Sequence, residues 1–334
     1  MQRIRQFDGV RALAILAVFA HHALHVKLLW MGVDLFFVLS GFLITGVLLD
    51  SHRHSLRELL ENFYARRVRR ILVPYLVFLV LASLVIGVAW ARYWYFYVLL
   101  TNLLLPLHVP HPGSFAPLWS LAVEEQFYLA WPFAVYLLSE ERLRKLCILL
   151  IVLAPVLRGC FHFAEEWPVY MLTPFRMDLL ACGGWLCLAW RRRRDLIEKW
   201  GAVAGIPLTT IGLIGLFALS RAGVSTFGNT RTGNILIYEA CLLIAVGIIL
   251  YALSGWRVEW LKIRPLTYIG QISYSMYLVH LVIIEEVFSK VRGFGAVLIA
   301  FALVMGYASI SWFAMEKRLL GRHSSVTKAQ LIAR

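Results

Sequence analysis

The stretch RALAILAVFAHHALHVKLLWMGVDLFFVLSGFLITGVLLD (Arg11–Asp50) sits over two apolar runs, 10–27 and 31–49, parted by a short break. Each approaches the roughly 20 residues that an α-helix needs to cross the hydrocarbon of a bilayer. Runs of the same kind recur at 71–91, 118–138, 146–163, 176–190, 202–219, 233–253, 268–288 and 295–314. Over 334 residues the chain is 60% hydrophobic and only 16% charged, with a mean hydropathy of +0.73. Soluble domains fold with about half their residues apolar. The pattern therefore predicts an all-α, polytopic integral membrane protein of about ten transmembrane helices. The opening MQRIRQFDGVR leads into an apolar run with no small-residue cleavage site after it, so that run is expected to remain as a span.

Lysine and arginine set the expected orientation. With both termini cytoplasmic, the inner segments hold Arg3, Arg5, Arg11, the arginines from Arg53 to Arg70, and Arg142/Arg144/Lys145. They also hold Arg191 to Arg194 with Lys199, then Arg257/Lys262/Arg264 and five residues after Met315. Together these are 25 of the 33 basic residues, which leaves 8 outside. That asymmetry fits the positive-inside rule. YWYFYVLLTNLLLP (Tyr93–Pro106) would reverse every later loop if it crossed. Its Trp and Tyr residues suit the headgroup level, so it is read as an interfacial or re-entrant segment.

The net charge of +14 is mostly topological, and juxtamembrane basic residues also attract anionic inner-leaflet lipids. It is split among short loops and forms no continuous stripe, so nucleic acid is not an expected partner. Five cysteines lie in or beside the spans without zinc-type pairing, and neither a metal nor structural disulfides are expected. One membrane domain, residues 1–320, is expected to fill the chain, followed by a short polar cytoplasmic tail at 321–334.

Polar residues inside apolar runs are costly and mark cavities or partners. Arg11 and His22 are 11 residues apart, close to three turns, so they share a helix face about 16 Å apart along the axis. His25 falls on the same side, whereas His21 points roughly 100° away. Adjacent His21 and His22 cannot aim at one ion, and no thiolate joins them, which argues against a metal site. A solvated helix end stays open for His21 and His25. Asp34 enters the second run at the depth of His22 and His25, where it could fix an imidazole tautomer or merely cap the helix. Gly41 and Ser40 read as close helix packing.

SHRHSLRELLENFYARRVRRILVPY (Ser51–Tyr75) carries a capping box at Ser55 and Glu58 and apolar Leu56, Leu59, Leu60 and Phe63 at helical spacing. It ends in Arg66, Arg67, Arg69 and Arg70, a topology anchor or a phosphate clamp. Arg191 to Arg194 read as a stop-transfer anchor. Glu124 and Glu125 lie inside a span, where neither ionises cheaply; helical phase lets one of the two face a given pocket. YIGQISYSMYLVH (Tyr268–His280) adds Ser273, Tyr274, Ser275, Tyr277 and His280. Arg176 and Asp178 are close enough in sequence to pair with each other.

RALAILAVFAHHA, GVDLFFVLSGFLIT, FYARRVRRILVPY, LWSLAVEEQFYLAWP and SYSMYLVH, in that order, resemble the motifs of the acyltransferase-3 family of integral membrane O-acyltransferases. The resemblance runs from residue 5 to about 320. It implies transfer of an acyl group, commonly acetyl, from acyl-CoA as co-substrate to a sugar hydroxyl of a surface polysaccharide, glycolipid or secreted small molecule. It implies location in the cytoplasmic (inner) membrane. The family's Arg-x10-His motif falls on Arg11 and His22, its Arg-x-Arg element on Arg67 and Arg69, and its acidic motif on Glu124 and Glu125 after Trp119 and Ser120. Some members fuse a hydrolase-type domain at the carboxyl terminus; this chain is expected to be a stand-alone member, and a mechanism that needs such a domain would call for a separate transferase partner.

The chemistry of the residues agrees with that resemblance. Attack on a thioester needs an acceptor hydroxyl deprotonated in flight, a task for a neutral histidine. The arginine cluster suits the donor's phosphates, and Ser, Tyr or Arg11 suits the developing oxyanion. The expected roles are thus His22, Arg11, Asp34 and Glu124 in catalysis, and Arg66, Arg67, Arg69 and Arg70 on the donor. His25, Trp119, Ser120, Glu125, Ser273, Tyr274, Tyr277 and His280 would contact or support the substrates. A transporter or flippase of a lipid-linked glycan is the competing class, because polar residues in spans also line substrate pathways.

Overall fold

The computed structural model describes residues 4–51, 55–161, 163–224 and 229–319; the tail at 321–334 lies outside them. Among the described residues the chain is helical, with no strand, as the apolar runs require. The helices are α1 (Gln6–Leu24), α2 (Gly32–Asp50), α3 (Leu56–Arg67), α4 (Val73–Ile86), α5 (Thr101–Leu104), α6 (Trp119–Leu137) and α7 (Glu140–Cys160). They continue as α8 (Trp167–Met171), α9 (Met177–Arg192), α10 (Arg194–Arg221), α11 (Arg231–Ser254), α12 (Arg264–Phe288) and α13 (Phe294–Ser311).

Among the described residues, seven helical stretches are long and apolar enough to cross a membrane: Gln6–Leu24, Lys27–Asp50, Leu56–Ile86, Arg194–Arg221, Arg231–Ser254, Arg264–Phe288 and Phe294–Leu319. The other three runs expected to span fall on α6, α7 and α9. Each is helical but shorter or more polar: α6 holds Glu124 and Glu125, α7 opens on a charged turn, and α9 has 16 residues. No single helix forms over Tyr93–Pro106. Short helical pieces fold back there instead, tied by Tyr95 to the Pro110 carbonyl at 2.7 Å and by Tyr75 to the Phe96 carbonyl at 3.0 Å. The preceding helix stops at Ile86, short of residue 91, because Gly87 turns left-handed (φ 71°) and closes it on Ser83.

The helices form an inner group and a periphery. The apolar window of Lys27–Asp50 is 72% buried, whereas those of Arg194–Arg221 and Phe294–Leu319 are 22% buried. With no water to hide from, the outer helices keep apolar side chains on their exposed faces, such as Phe217 and Ile310. Close approach, not amphipathicity, joins the inner helices. A Cβ on Gly41 would overlap the Leu180 carbonyl, and one on Gly183 the Val38 carbonyl, so backbones touch where α2 crosses α9. Gly9 against Leu261 and Gly270 against Asp8 seat α1 on the start of α12 in the same way.

The amphipathic helix expected after Ser51 is α3. The capping box is present: Ser55 Oγ accepts from the Glu58 amide and Glu58 Oε2 accepts from the Ser55 amide, both at 3.3 Å. Leu59 and Phe63 are buried. Its carboxyl end passes into a π-helical turn, Val68–Leu72, before α4.

Candidate active site

Two cavities meet between α1, α2, the π-turn and α12. The inner one, about 120 Å³, is walled by Arg11, Ser40, Arg67, Arg70, Ser120, Glu124, Tyr128, Ser273, Tyr274 and Tyr277 with apolar residues of α2. The second, about 350 Å³, opens from the first past Arg11, Arg70, Ser273 and Tyr274 toward Asp8, Gln271, Trp312 and Glu316. Glu316 ends a second π-helical turn, Trp312–Glu316, and accepts from Ser275 at 2.7 Å and Ser311 at 2.8 Å. Both π-turns border this second cavity, and such turns re-aim side chains out of regular helical phase.

Two of the four arginines before α4 face the cavities. Arg67 and Arg70 line the inner cavity, while Arg66 and Arg69 line neither. Arg69 donates to its own helix, to the Ala65 carbonyl at 2.9 Å. Arg67 lies over the Phe63 and Tyr128 rings at 5.5 and 5.3 Å, and its Nε–H has no acceptor among the described residues. On a regular helix Arg67 and Arg70, three residues apart, lie about 60° from each other and share a face. Arg11 sits where the two cavities join and pairs with Asp8 one turn earlier, at 3.0 Å.

Of the two acids in α6, Glu124 faces the inner cavity and Glu125 does not. Glu124 Oε1 accepts the Ser40 hydroxyl hydrogen at 2.5 Å. Ser120, one turn away, makes a 2.6 Å contact with the Tyr277 hydroxyl, and Tyr277 donates to the Pro117 carbonyl at 2.7 Å. Tyr274 donates to the Ile71 carbonyl at 2.8 Å, and Ser273 to that of Gly270 at 3.0 Å.

His22 lines neither cavity. Its Nδ1 lies 2.9 Å from the Val18 carbonyl, and His280 Nδ1 lies 2.7 Å from that of Tyr277. A carbonyl oxygen only accepts, so in each ring Nδ1 carries the hydrogen and Nε2 holds a lone pair. The two rings stand 4.9 Å apart, edge to face, and the His280 ring is 5.3 Å from Tyr277. His280 is 1% exposed, and its Nε2 has no hydrogen-bond partner among the described residues. His21 is tied to the Val26 carbonyl at 3.1 Å. His25 does not share the His22 face: α1 ends at Leu24, and His25 caps it exposed and left-handed (φ 54°), where helical phase no longer applies.

Asp34 is not an imidazole partner; it is fully buried and ion-paired to Arg176. Arg176 is held within 4.7–6.0 Å of five ring centroids, those of Trp30, Phe37, Trp119, Tyr170 and Tyr238. Trp119 therefore belongs to this aromatic cage. Asp178 pairs not with Arg176 but with Arg158, at 2.7 Å, and Arg158 also reaches Glu239 at 2.6 Å and the Phe175 carbonyl at 2.5 Å. This buried network joins α2, α7, α9 and α11, and each charge offsets the desolvation of another. Sequence reading missed Arg158 and Glu239 altogether, although each is an ionisable residue in an apolar run. It also missed the Ser40–Glu124 contact.

The arrangement supplies a basic, hydroxyl-lined cavity at one level and an unprotonated imidazole Nε2 at another. A family model described as acyltransferase domain matches residues 4–315. Over 315 residues, 84% of this chain, it is 31% identical to a peptidoglycan O-acetyltransferase, OatA, of Listeria monocytogenes, covering 49% of that protein. It is 28% identical over 317 residues, 83% of the chain, to the O-acetyltransferase OatA of Staphylococcus aureus, covering 50% of it. The chain thus spans about half the length of the relatives it matches. No solved structure matches it. Through nearly its whole length the chain belongs to the acyltransferase-3 family.

Proposed function

We propose that this protein is a membrane O-acyltransferase that moves an acetyl group from acyl-CoA to a sugar hydroxyl of a cell-envelope polysaccharide. The observation that carries this reading is the meeting of Arg11, Arg67 and Arg70 with Ser40, Glu124 and Tyr128 around one cavity, joined through Tyr277 to the His280–His22 pair. The acceptor class follows from relatives named as O-acetyltransferases, one of them of peptidoglycan.

In this reading the donor enters through the larger cavity, and its phosphates meet Arg70 and Arg67, whose planar forks match phosphate oxygens. Its long arm reaches on past Tyr277 toward the His280–His22 pair, so that the thioester meets the acceptor hydroxyl near His22. His22 Nε2 takes the proton of the acceptor hydroxyl as that oxygen attacks. The Val18 carbonyl fixes the tautomer that a carboxylate would otherwise have to fix. Asp34 and Arg176 hold the scaffold behind this chemistry, and Trp119 links their cage to Ser120 on the cavity wall. The protein works as one membrane domain over residues 1–320 with ten crossings, α6, α7 and α9 included, and both termini at the cytoplasmic face of the inner membrane. Membrane lipids surround it, and a separate transferase can accept its product.

The test is acyl transfer by the full-length protein in liposomes, with acetyl-CoA and soluble cell-wall glycan fragments, read by mass spectrometry of the glycan. Wild type adds acetyl groups; His22→Ala loses roughly 10²–10⁴-fold of the rate, the usual contribution of general-base catalysis. Glycan that is moved across the bilayer without gaining mass would instead mark a flippase.

A further inference from the structure

The two cavities differ in charge. Arg11 and Arg70 stand where they join, and Arg67 lies on the inner side. Beyond that junction the larger cavity, about 350 Å³, meets no further cation among the described residues that line it. Apolar residues wall it together with Asp8, Gln271, Trp312 and Glu316. Asp8 is matched by Arg11 at 3.0 Å. Glu316 is matched by no cation. It is 5% exposed, and its Oε1 accepts from Ser275 at 2.7 Å and from Ser311 at 2.8 Å. Its Oε2 takes no hydrogen bond among the described residues, and neither does the side-chain amide of Gln271.

A carboxylate withdrawn from water needs hydrogen-bond donors. The two serines serve one of its oxygens, and an ionised phosphate cannot serve the other, because it accepts only and carries the same charge. An amine can. Adenine presents an exocyclic N6 amino group beside ring nitrogens that accept. Carboxylates accept from such amino groups on bases, and a glutamine amide pairs with adenine through two bonds. Trp312 and Glu316 are the first and last residues of one π-helical turn, nearly a full turn apart, so both point into the cavity. The indole adds a flat face on which a base can stack. The order of the groups also fits a CoA donor: base in the larger cavity, phosphates at the arginines of the junction, arm running on into the inner cavity.

We propose that the larger cavity is the adenine pocket of the donor site, with Glu316 Oε2 accepting from N6–H, Gln271 on a neighbouring ring nitrogen and Trp312 against the face of the base; this rests on the acyltransferase reading with a CoA donor. Ser275 and Ser311 are positioning residues that hold the carboxylate toward the base. Donor specificity is thereby set at the far end of the molecule from the reacting thioester. A hypoxanthine base, with an oxo group in place of the N6 amino group, turns an acceptor toward the Glu316 carboxylate and is rejected.

The experiment compares acetyl-CoA with its hypoxanthine analogue as donors to cell-wall glycan fragments, using the full-length protein in liposomes. With wild type, KM for the analogue rises roughly 10–100-fold, the discrimination that one well-placed base contact supplies, and kcat stays the same because the base is remote from the chemistry. Glu316→Gln can turn an amide N–H toward the oxo group, so the ratio of the two KM values falls to within about threefold. Trp312→Ala raises KM for both donors alike, by roughly tenfold or more. Equal KM values for the two donors with wild type overturn the adenine assignment, an arm that needs no variant, and leave the acyltransferase reading standing. A Glu316→Gln protein that loses both donors by one factor, its ratio unchanged, overturns it as well and makes Glu316 a structural residue. Wild type that acetylates glycan from neither donor and binds no desulfo-CoA sinks the acyltransferase reading itself.

Discussion

The unpartnered nitrogen of His280 offers the sharpest single test of the site. Its Nδ1–H is committed to the Tyr277 carbonyl at 2.7 Å, so Nε2 keeps a lone pair in a residue 1% exposed, beside the His22 ring at 4.9 Å. When His22 takes a proton from an acceptor hydroxyl, a neutral imidazole lone pair alongside stabilises the resulting cation. A hydrogen bond to a charged group contributes about 1.5–3 kcal/mol, and each 1.36 kcal/mol is a tenfold change in rate. Removing that lone pair should therefore lower kcat by roughly 10–150-fold, with little effect on KM for the donor. His280→Asn retains an N–H near the Tyr277 carbonyl but lacks any atom at Nε2. His280→Gln can place its amide oxygen there and should recover much of the rate. The assay is steady-state acetyl transfer in liposomes across a range of donor and acceptor concentrations. An Asn variant with wild-type kcat would refute the reasoning. Equal losses in the Asn and Gln variants would make His280 a packing residue only.

Three further outcomes follow from the same geometry. Arg67→Ala and Arg70→Ala should weaken binding of desulfo-CoA by about tenfold or more, whereas Arg66→Ala and Arg69→Ala change it little; calorimetry on the purified protein separates the four. Asp34→Asn should cost about 3–5 kcal/mol by leaving the caged Arg176 charge unmatched, seen as lost folded yield in detergent, and the Asp34→Leu/Arg176→Met double variant should recover part of it. Gly41→Ala forces a methyl group against the Leu180 carbonyl, so thermal unfolding should report a loss of about 1–3 kcal/mol, the usual cost of overpacking.

Much of the site is local in origin and could be read along the chain. Helical phase separated His22 from His21 and predicted that one of Glu124 and Glu125 would face a pocket; the structure selects Glu124. The capping box placed α3, and the Trp- and Tyr-rich run at 93–106 was recognised as something other than a span. Reading failed where the local rule stopped holding. His25 was assigned a face on a helix that ends one residue earlier. The arginine register was open because four arginines, Arg66, Arg67, Arg69 and Arg70, fall within five positions, and only packing shows which of them face the cavity.

Sequence by itself determined the solvent, the helical class, the family and the short list of polar residues worth attention. Each of these depends on composition, on periodicity over a few turns, or on ordered motifs, all one-dimensional properties. Tertiary structure decided partnership. Asp34 and Arg176 are 142 residues apart in the chain, and Ser40 and Glu124 are 84 apart. Inside a membrane a polar group must find its partner within the protein, and which partner it finds depends on where helices cross. Those crossings are set by glycines that let one backbone rest on another, a contact that no periodicity encodes.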